Sequence, residues 1–228
     1  DGANPPSQKR DITFDEAPLY LRRIRPNPDG YCLMQLPTFD DAKGAADRLV
    51  GHARRTPVLT QTRLDNDVGA EIHLKCENFQ RIGAFKFRGA WNAMCQLDRA
   101  VRDRGVITYS SGNHGQAVAL SGQLLDIQTT VVMPQNAPVR KRAATERYGA
   151  TLVDYDPAVA KRENISAQPA REHGYSLIPP FDHPHVIAAQ ATAALELLAD
   201  SGSLDMLLVP CGGGGLIGGN AISTRHLQ

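Results

Sequence analysis

The chain has 228 residues, 42% hydrophobic and 21% charged, the balance of a globular protein with room for one substantial domain or two small ones. Lys plus Arg number 25 against 24 Asp plus Glu, and a formal charge of +1 leaves no electrostatic footprint for nucleic acid or an anionic membrane. No apolar run approaches the roughly 18 residues needed to cross a bilayer, and four scattered cysteines without a CxxC pair argue against a zinc site or a disulfide scaffold, which fits a reducing, cytoplasmic setting.

Residues 1–33 carry Pro5-Pro6 and Pro26-Asn27-Pro28-Asp29-Gly30 and show no helical or strand periodicity. They lack the apolar core of a secretory signal. They are expected to be a leader, open to disorder, and Met34-Gln35-Leu36-Pro37 is a plausible native start. Thr38 and Asp41 then form a capping-box pair, and Ala42, Ala45, Ala46, Leu49 and Val50 give the spacing of a helix with one buried face. After Thr56-Pro57 the chain alternates. Strands are expected at Glu71–Lys75, Val106–Tyr109, Thr129–Met133, Thr151–Asp154, Leu177-Ile178 and Met206–Val209. Helices are expected at Lys86–Leu97, His114–Leu125, Val139–Tyr148, Pro157–His173, Val186–Leu198 and from Leu216 onward. Short apolar strands between helices of ten or so residues make βα units, so the fold class is α/β with open, twisted, mostly parallel sheets and helices on both faces.

Three loops fall where an open α/β sheet places its ligands, at the carboxyl ends of strands. The first is Gly83-Ala84-Phe85-Lys86-Phe87-Arg88-Gly89-Ala90. An exposed lysine at a helix start is the ordinary reading. A lysine desolvated by two phenylalanines at the positive end of a helix has a lowered pKa, and a neutral amine is what bonding to an aldehyde cofactor requires.

The second is Ser110-Ser111-Gly112-Asn113-His114-Gly115. Either Asn113 or Ser111 merely caps the next helix, or successive backbone N–H groups form a cradle for a carboxylate, with Ser111 able to exchange a proton. His114 is either a general base or a structural histidine. The third is Cys211-Gly212-Gly213-Gly214-Gly215-Leu216. Each glycine costs roughly 1 kcal/mol relative to Ala inside a helix, so the run is explained by a phosphate loop more readily than by a flexible turn. Gly213 to Gly218 also match the dinucleotide fingerprint formally. The acid expected about 20 residues later is missing from the tail that follows Gly218, which weakens the nicotinamide reading.

Together the loops resemble those of the fold type II pyridoxal-phosphate enzymes, in particular the serine/threonine dehydratase and serine racemase family. The likeness runs from Thr56-Pro57-Val58-Leu59 through Lys75-Cys76-Glu77-Asn78-Phe79-Gln80 and the Lys86 and Ser110–Gly115 motifs. It continues through Pro180-Phe181-Asp182 and Thr192-Ala193-Ala194-Leu195-Glu196 to the glycine loop, and so covers nearly all of residues 34–228. It implies a tryptophan synthase β-like architecture: 34–104 and 183–228 as two parts of an incomplete large domain, and 105–182 as a small domain.

By this resemblance Lys86 carries pyridoxal 5'-phosphate and acts as the base, and Phe85 packs near its ring. Asn113 bonds the cofactor's phenolic oxygen, and Gly212, Gly213, Gly214, Gly215 and Leu216 bind its phosphate. Ser110, Ser111, Gly112, Asn113 and His114 hold the substrate carboxylate, and Ser111 exchanges a proton on the face opposite the lysine. The implied reaction is β-elimination on a hydroxy amino acid such as L-threonine or L-serine, giving a 2-oxo acid and ammonia. Serine racemisation and an inactive truncated fragment are the alternatives, and a homodimer is the implied assembly. Ile82 and Ala84 stand where family members often carry a hydroxyl residue, and Ala189 and Ala191 where they carry glycines. The segment by which the family extends past His226-Leu227-Gln228 brings the pyridine-nitrogen partner and, in many members, a divalent-cation site. Its absence predicts a chain that is unstable or poorly active.

Overall fold

Thr38 and Asp41 set the first helix. In the computed structural model, which describes residues 36–159 and 162–228, the Thr38 hydroxyl accepts from the Asp41 N–H at 3.2 Å and the Thr38 N–H donates to the Asp41 carboxylate at 2.7 Å. This reciprocal pair satisfies two orphan donors at the start of α1 (Phe39–Leu49), whose Ala42, Ala45 and Leu49 are buried as the spacing predicts. The leader expected over residues 1–33 lies outside the described residues.

Two short strands follow, β1 (Val58–Leu59) and β2 (Leu74–Lys75), with α2 (Thr62–Val68) between them. They pair antiparallel, Val58 opposite Lys75. Of the strand expected over Glu71–Lys75, just the last two residues find a ladder partner. Helices α3 (Lys86–Met94) and α4 (Arg99–Arg102) then lead into the main sheet.

That sheet consists of β3 (Val106–Tyr109), β4 (Thr129–Pro134), β5 (Thr151–Tyr155) and β6 (Ser176–Leu177), all parallel, in the order β5-β4-β3-β6. The crossovers are α5 (Asn113–Leu125), α6 (Val139–Arg147) and α7 (Arg162–His173). Alternate residues of a strand face opposite sides. Val131 and Met133 accordingly pack with Ala119 of α5 and with Ala137 and Ala150, while Ile107, Tyr109 and Val132 pack with Ile165 and Ala170 of α7. Helices thus cover both faces, as expected.

The strand order places the site. From β3 the chain steps outward to β4 and β5, then returns to lay β6 on the other side of β3. The connections that leave the carboxyl ends of β3 and β6 therefore diverge, and an open α/β sheet opens its ligand crevice at such a switch point. Those ends here are Ser110 and Ile178. The last two helices, α8 (Pro184–Ser201) and α9 (Gly215–Leu227), join α3 and α1 in a helical layer. Leu49, Phe87, Trp91, Leu120, Ala188 and Ala189 form part of its core.

The strand expected at Met206–Val209 is not formed. Its apolar run fits a strand, but a strand exists through its ladder, and this segment pairs with no strand among the described residues. Met206 and Leu208 are exposed, and the segment borders a cavity of about 390 Å3 lined also by Leu74, Lys75, Phe85, Ala194, Leu216 and Asn220. Among the described residues no helix is long and apolar enough to cross a membrane, and no cluster of three His, Cys, Asp or Glu side chains is arranged to hold a metal ion.

Candidate active site

Lys86 is the first residue of α3, and the chain enters it through a strained turn. Ile82 has φ 59° and Gly83 φ 71°. A β-branched residue in the left-handed region persists where its surroundings over-determine it. Here buried Gln80 does so: its amide accepts from the N–H groups of Arg54 (2.8 Å) and Arg81 (3.0 Å) and donates to the Arg54 carbonyl (2.7 Å). The half-buried Lys86 Nζ lies 5.2 Å from the centroid of the Phe85 ring and donates to the Pro180 carbonyl at 2.5 Å. Burial pushes its pKa down to about 8. The exposed-lysine reading is thereby set aside.

The loop after β3 is built on Ser110. This buried residue donates its N–H to the Val132 carbonyl (3.0 Å), and its hydroxyl accepts from the Gly112 N–H (3.1 Å). Gly112 occupies the N-cap of α5, which has no side-chain cap, so neither Ser111 nor Asn113 serves as one. Both are exposed, and the first-turn N–H groups of the helix carry its partial positive charge. His114 points inward. Its Nε2 is 3.0 Å from the Ile178 carbonyl, an acceptor, so that nitrogen carries the proton, and its buried Nδ1 has no hydrogen-bond partner among the described residues. Burial, reinforced by the nearby Lys86 charge, pushes the imidazole down to about 3 despite the Ile178 bond. The histidine is neutral at working pH and too weak a base to take a substrate proton, so the structural reading of His114 holds over the general-base one.

The glycine loop precedes α9. Gly214 is its N-cap at φ 86°, and Gly215 begins the helix. A side chain on Gly213 would fall 2.2 Å from the Phe181 ring, and one on Gly215 would fall 2.7 Å from the Phe181 carbonyl oxygen. Side chains on Gly212 and Gly214 would meet nothing within 4 Å. One side of the loop is thus pressed against Phe181 and the other is open, with helix N–H groups beneath it.

The three loops meet through Ile178 to Phe181, directly after β6; of these, Ile178 is expected from the sequence as the end of that strand. The Ile178 carbonyl takes His114 and also the Thr108 hydroxyl (2.7 Å), the Pro180 carbonyl takes Lys86, and Phe181 covers Gly213 and Gly215. The sequence signal for Pro180 and Phe181 was the Pro180-Phe181-Asp182 match. Lys141 was missed. In the sequence it stands in the basic run Arg140-Lys141-Arg142, which by composition reads as a solvated helix or loop face, yet its Nζ comes within 3.0 Å of where a Gly112 side chain would begin. It makes no ion pair among the described residues, whereas its neighbour Arg142 pairs with Asp154.

The sequence model of the pyridoxal-phosphate dependent enzymes matches residues 49–228. The chain belongs to that family. Among similar proteins, the L-threo-3-hydroxyaspartate ammonia-lyase of Saccharomyces cerevisiae is 52% identical over 195 residues, covering 86% of this chain and 60% of that protein. The serine racemase of Schizosaccharomyces pombe is 49% identical, over 84% of this chain and 59% of its own length. Of solved structures, maize serine racemase superposes with a TM-score of 0.81 at 39% identity, covering 83% of this chain and 58% of that one. The serine racemase of Dictyostelium discoideum does so with 0.80 at 41%, covering 84% and 62%. The chain therefore spans about 60% of the length of the curated relatives it matches.

Pyridoxal 5'-phosphate is the family's cofactor, and the residues present fit it. An aldehyde needs an amine that loses its proton near neutrality, which burial provides at Lys86. A phosphate needs backbone donors approached without obstruction at a helix start, which the open side of Gly212 and Gly214 provides before the 13-residue α9.

Proposed function

We propose that this chain is part of a pyridoxal-phosphate-dependent ammonia-lyase that eliminates the β-hydroxyl of a 3-hydroxy amino acid, yielding a 2-oxo acid and ammonia. The observation that carries this reading is the convergence of the Lys86, His114 and Gly213–Gly215 loops on Ile178–Phe181, with the Lys86 amine depressed to about 8. When bound, the cofactor supplies an electron sink for the charge left at the substrate α-carbon. Lys86 Nζ attaches the cofactor and takes the α-proton. Gly212 to Gly215 and Leu216 hold the phosphate on the N-terminus of α9, Phe85 packs beside the ring, and Asn113 donates its amide to the phenolic oxygen. Backbone N–H groups of Ser110 to His114 bind the substrate α-carboxylate, and His114, neutral and bonded to Ile178, keeps that loop in register with β6.

L-threonine and L-serine are the substrates that sequence resemblance alone suggested. The 52% relatives named as L-threo-3-hydroxyaspartate ammonia-lyases favour a substrate with a second carboxylate. Lys141, without an ion-pair partner among the described residues and beside Gly112, supplies a cation suited to it. A racemase is the second reading. It is favoured by the exposed Ser111 hydroxyl and the 49% relative named as a serine racemase. Incubation of the protein with L-threo-3-hydroxyaspartate, L-serine and L-threonine, with ammonia, oxo acid and D-amino acid all measured, decides between them. The lyase reading expects ammonia and oxo acid in equal amounts, fastest from hydroxyaspartate. D-amino acid as the main product overturns it in favour of the racemase.

A further inference from the structure

Arg88, two residues beyond Lys86, has no exposed surface. Burial opposes its charge, but Glu77 and Glu196 more than compensate and raise its pKa. All five guanidinium N–H donors are used. Nε and Nη2 reach the two Glu77 oxygens at 2.9 and 2.7 Å, and Nη1 and Nη2 reach the two Glu196 oxygens at 2.6 and 2.8 Å. Nη1 also reaches the Thr192 hydroxyl at 3.1 Å. Lys75 extends the cluster, with Nζ 2.7 Å from Glu196 and 2.7 Å from the Thr56 carbonyl, while the Thr56 hydroxyl donates to Glu77 at 2.6 Å. Lys75 Nζ also lies 4.0 Å from Asp200, which pairs with Arg55, so three cations and three anions make the assembly neutral. It ties the first turn of α3 to α8, to the end of β2 and to the turn after it.

We propose that Arg88 is the positioning residue for Lys86, with Glu77 and Glu196 as the anchors it acts against. At about 100° per residue, side chains two positions apart leave a helix on nearly opposite sides. Lys86 therefore faces Pro180 while Arg88 grips the elements behind it. The N-cap of α3 is Phe85, whose side chain makes no capping hydrogen bond, so no cap side chain fixes the first turn. A buried ion cluster is weak evidence for stability, since apolar residues of similar volume often replace one without loss. What it supplies here is direction: a planar fork held at both ends sets the rotation of the turn, and a single ammonium in its place does not. Misplacing a reacting amine by about 1 Å costs on the order of 100-fold in rate.

The inference rests on Lys86 being the cofactor lysine, and its test separates the two ideas. Protein is mixed with pyridoxal phosphate, reduced with borohydride, and the fraction of Lys86 modified is followed in time by peptide mass spectrometry. Absence of label on Lys86 in the wild type removes the functional reading itself. Given labelling in the wild type, Arg88→Lys is expected to slow it on the order of 100-fold. The same variant lowers kcat with KM within twofold. Labelling at the wild-type rate in folded Arg88→Lys overturns the proposal. So does a deficit that vanishes when each protein is compared at equal distance below its own melting temperature. Should Arg88→Lys fail to fold, Thr192→Val removes one of the five bonds and spares both ion pairs. It is expected to slow labelling on the order of tenfold, by the size of one hydrogen bond to a charged group, and unchanged labelling there also overturns the proposal.

Discussion

At pH 7 a lysine with the ordinary pKa of 10.5 is neutral about once in 3,000 molecules, whereas Lys86, held near 8, is neutral in about one of ten. The burial of one amine beside Phe85 and Pro180 therefore increases the reactive fraction about 300-fold. A pH series measures this directly. The folded protein is pulsed with an amine-reactive reagent from pH 6.5 to 11, and the Lys86 peptide is quantified against the same peptide from urea-unfolded chain. The folded midpoint is expected near 8 and the unfolded one near 10.5. The folded state binds this proton less tightly than the unfolded state. Between those two pH values the unfolded chain carries the more protons, and the lysine's contribution to stability rises with pH. Coincident midpoints near 10.5 would refute the claim that burial prepares Lys86 for an aldehyde.

His114 shifts in the same direction through a lower window. With a folded pKa of about 3 against 6.5 unfolded, its contribution to stability falls as pH drops below 6.5. The folding constant is expected to lose about tenfold by pH 5.5, and His114→Asn should flatten that slope in urea melts; equal slopes in the two proteins count against a buried neutral imidazole. Gly215→Ala places a methyl 2.7 Å from the Phe181 carbonyl oxygen and is expected to destabilise by about 1–3 kcal/mol. Gly212→Ala, which meets nothing, should stay within about 0.5 kcal/mol of wild type, and denaturant melts of the pair check both. Lys141→Met is expected to raise KM for L-threo-3-hydroxyaspartate about tenfold, the loss of one charge-assisted bond, while leaving that for L-serine within twofold. Equal effects on both substrates would remove the second-carboxylate role.

Much of the main sheet was legible. Val106–Tyr109, Thr129–Pro134 and Thr151–Tyr155 are short apolar runs, rich in β-branched residues, that stop at turns, and the helices between them follow from caps and glycines. The three loops were legible for the same reason, since Lys86, Gly112 and the Gly212–Gly215 run stand at helix starts. Periodicity could not supply partners. Met206–Val209 has the residues of a strand and no ladder among the described residues, while β1 and β2 are two residues long and owe their existence to each other. Ile178 to Phe181 join the loops through backbone carbonyls and one ring, and a carbonyl's direction leaves no trace in residue type. Lys141 and Arg88 look alike in the sequence, each a cation in a helix. The sheet order and the acids on β2's flank and α8 decide that one stands over Gly112 and the other is sealed between Glu77 and Glu196.

The central claim is that Lys86 holds the cofactor, and near-visible absorbance of the protein incubated with pyridoxal phosphate and freed of excess tests it most directly. A band in the wild type that is lost in Lys86→Ala, with the variant's melting curve retained, is the predicted result. A band that survives the substitution, or none in the wild type, contradicts it.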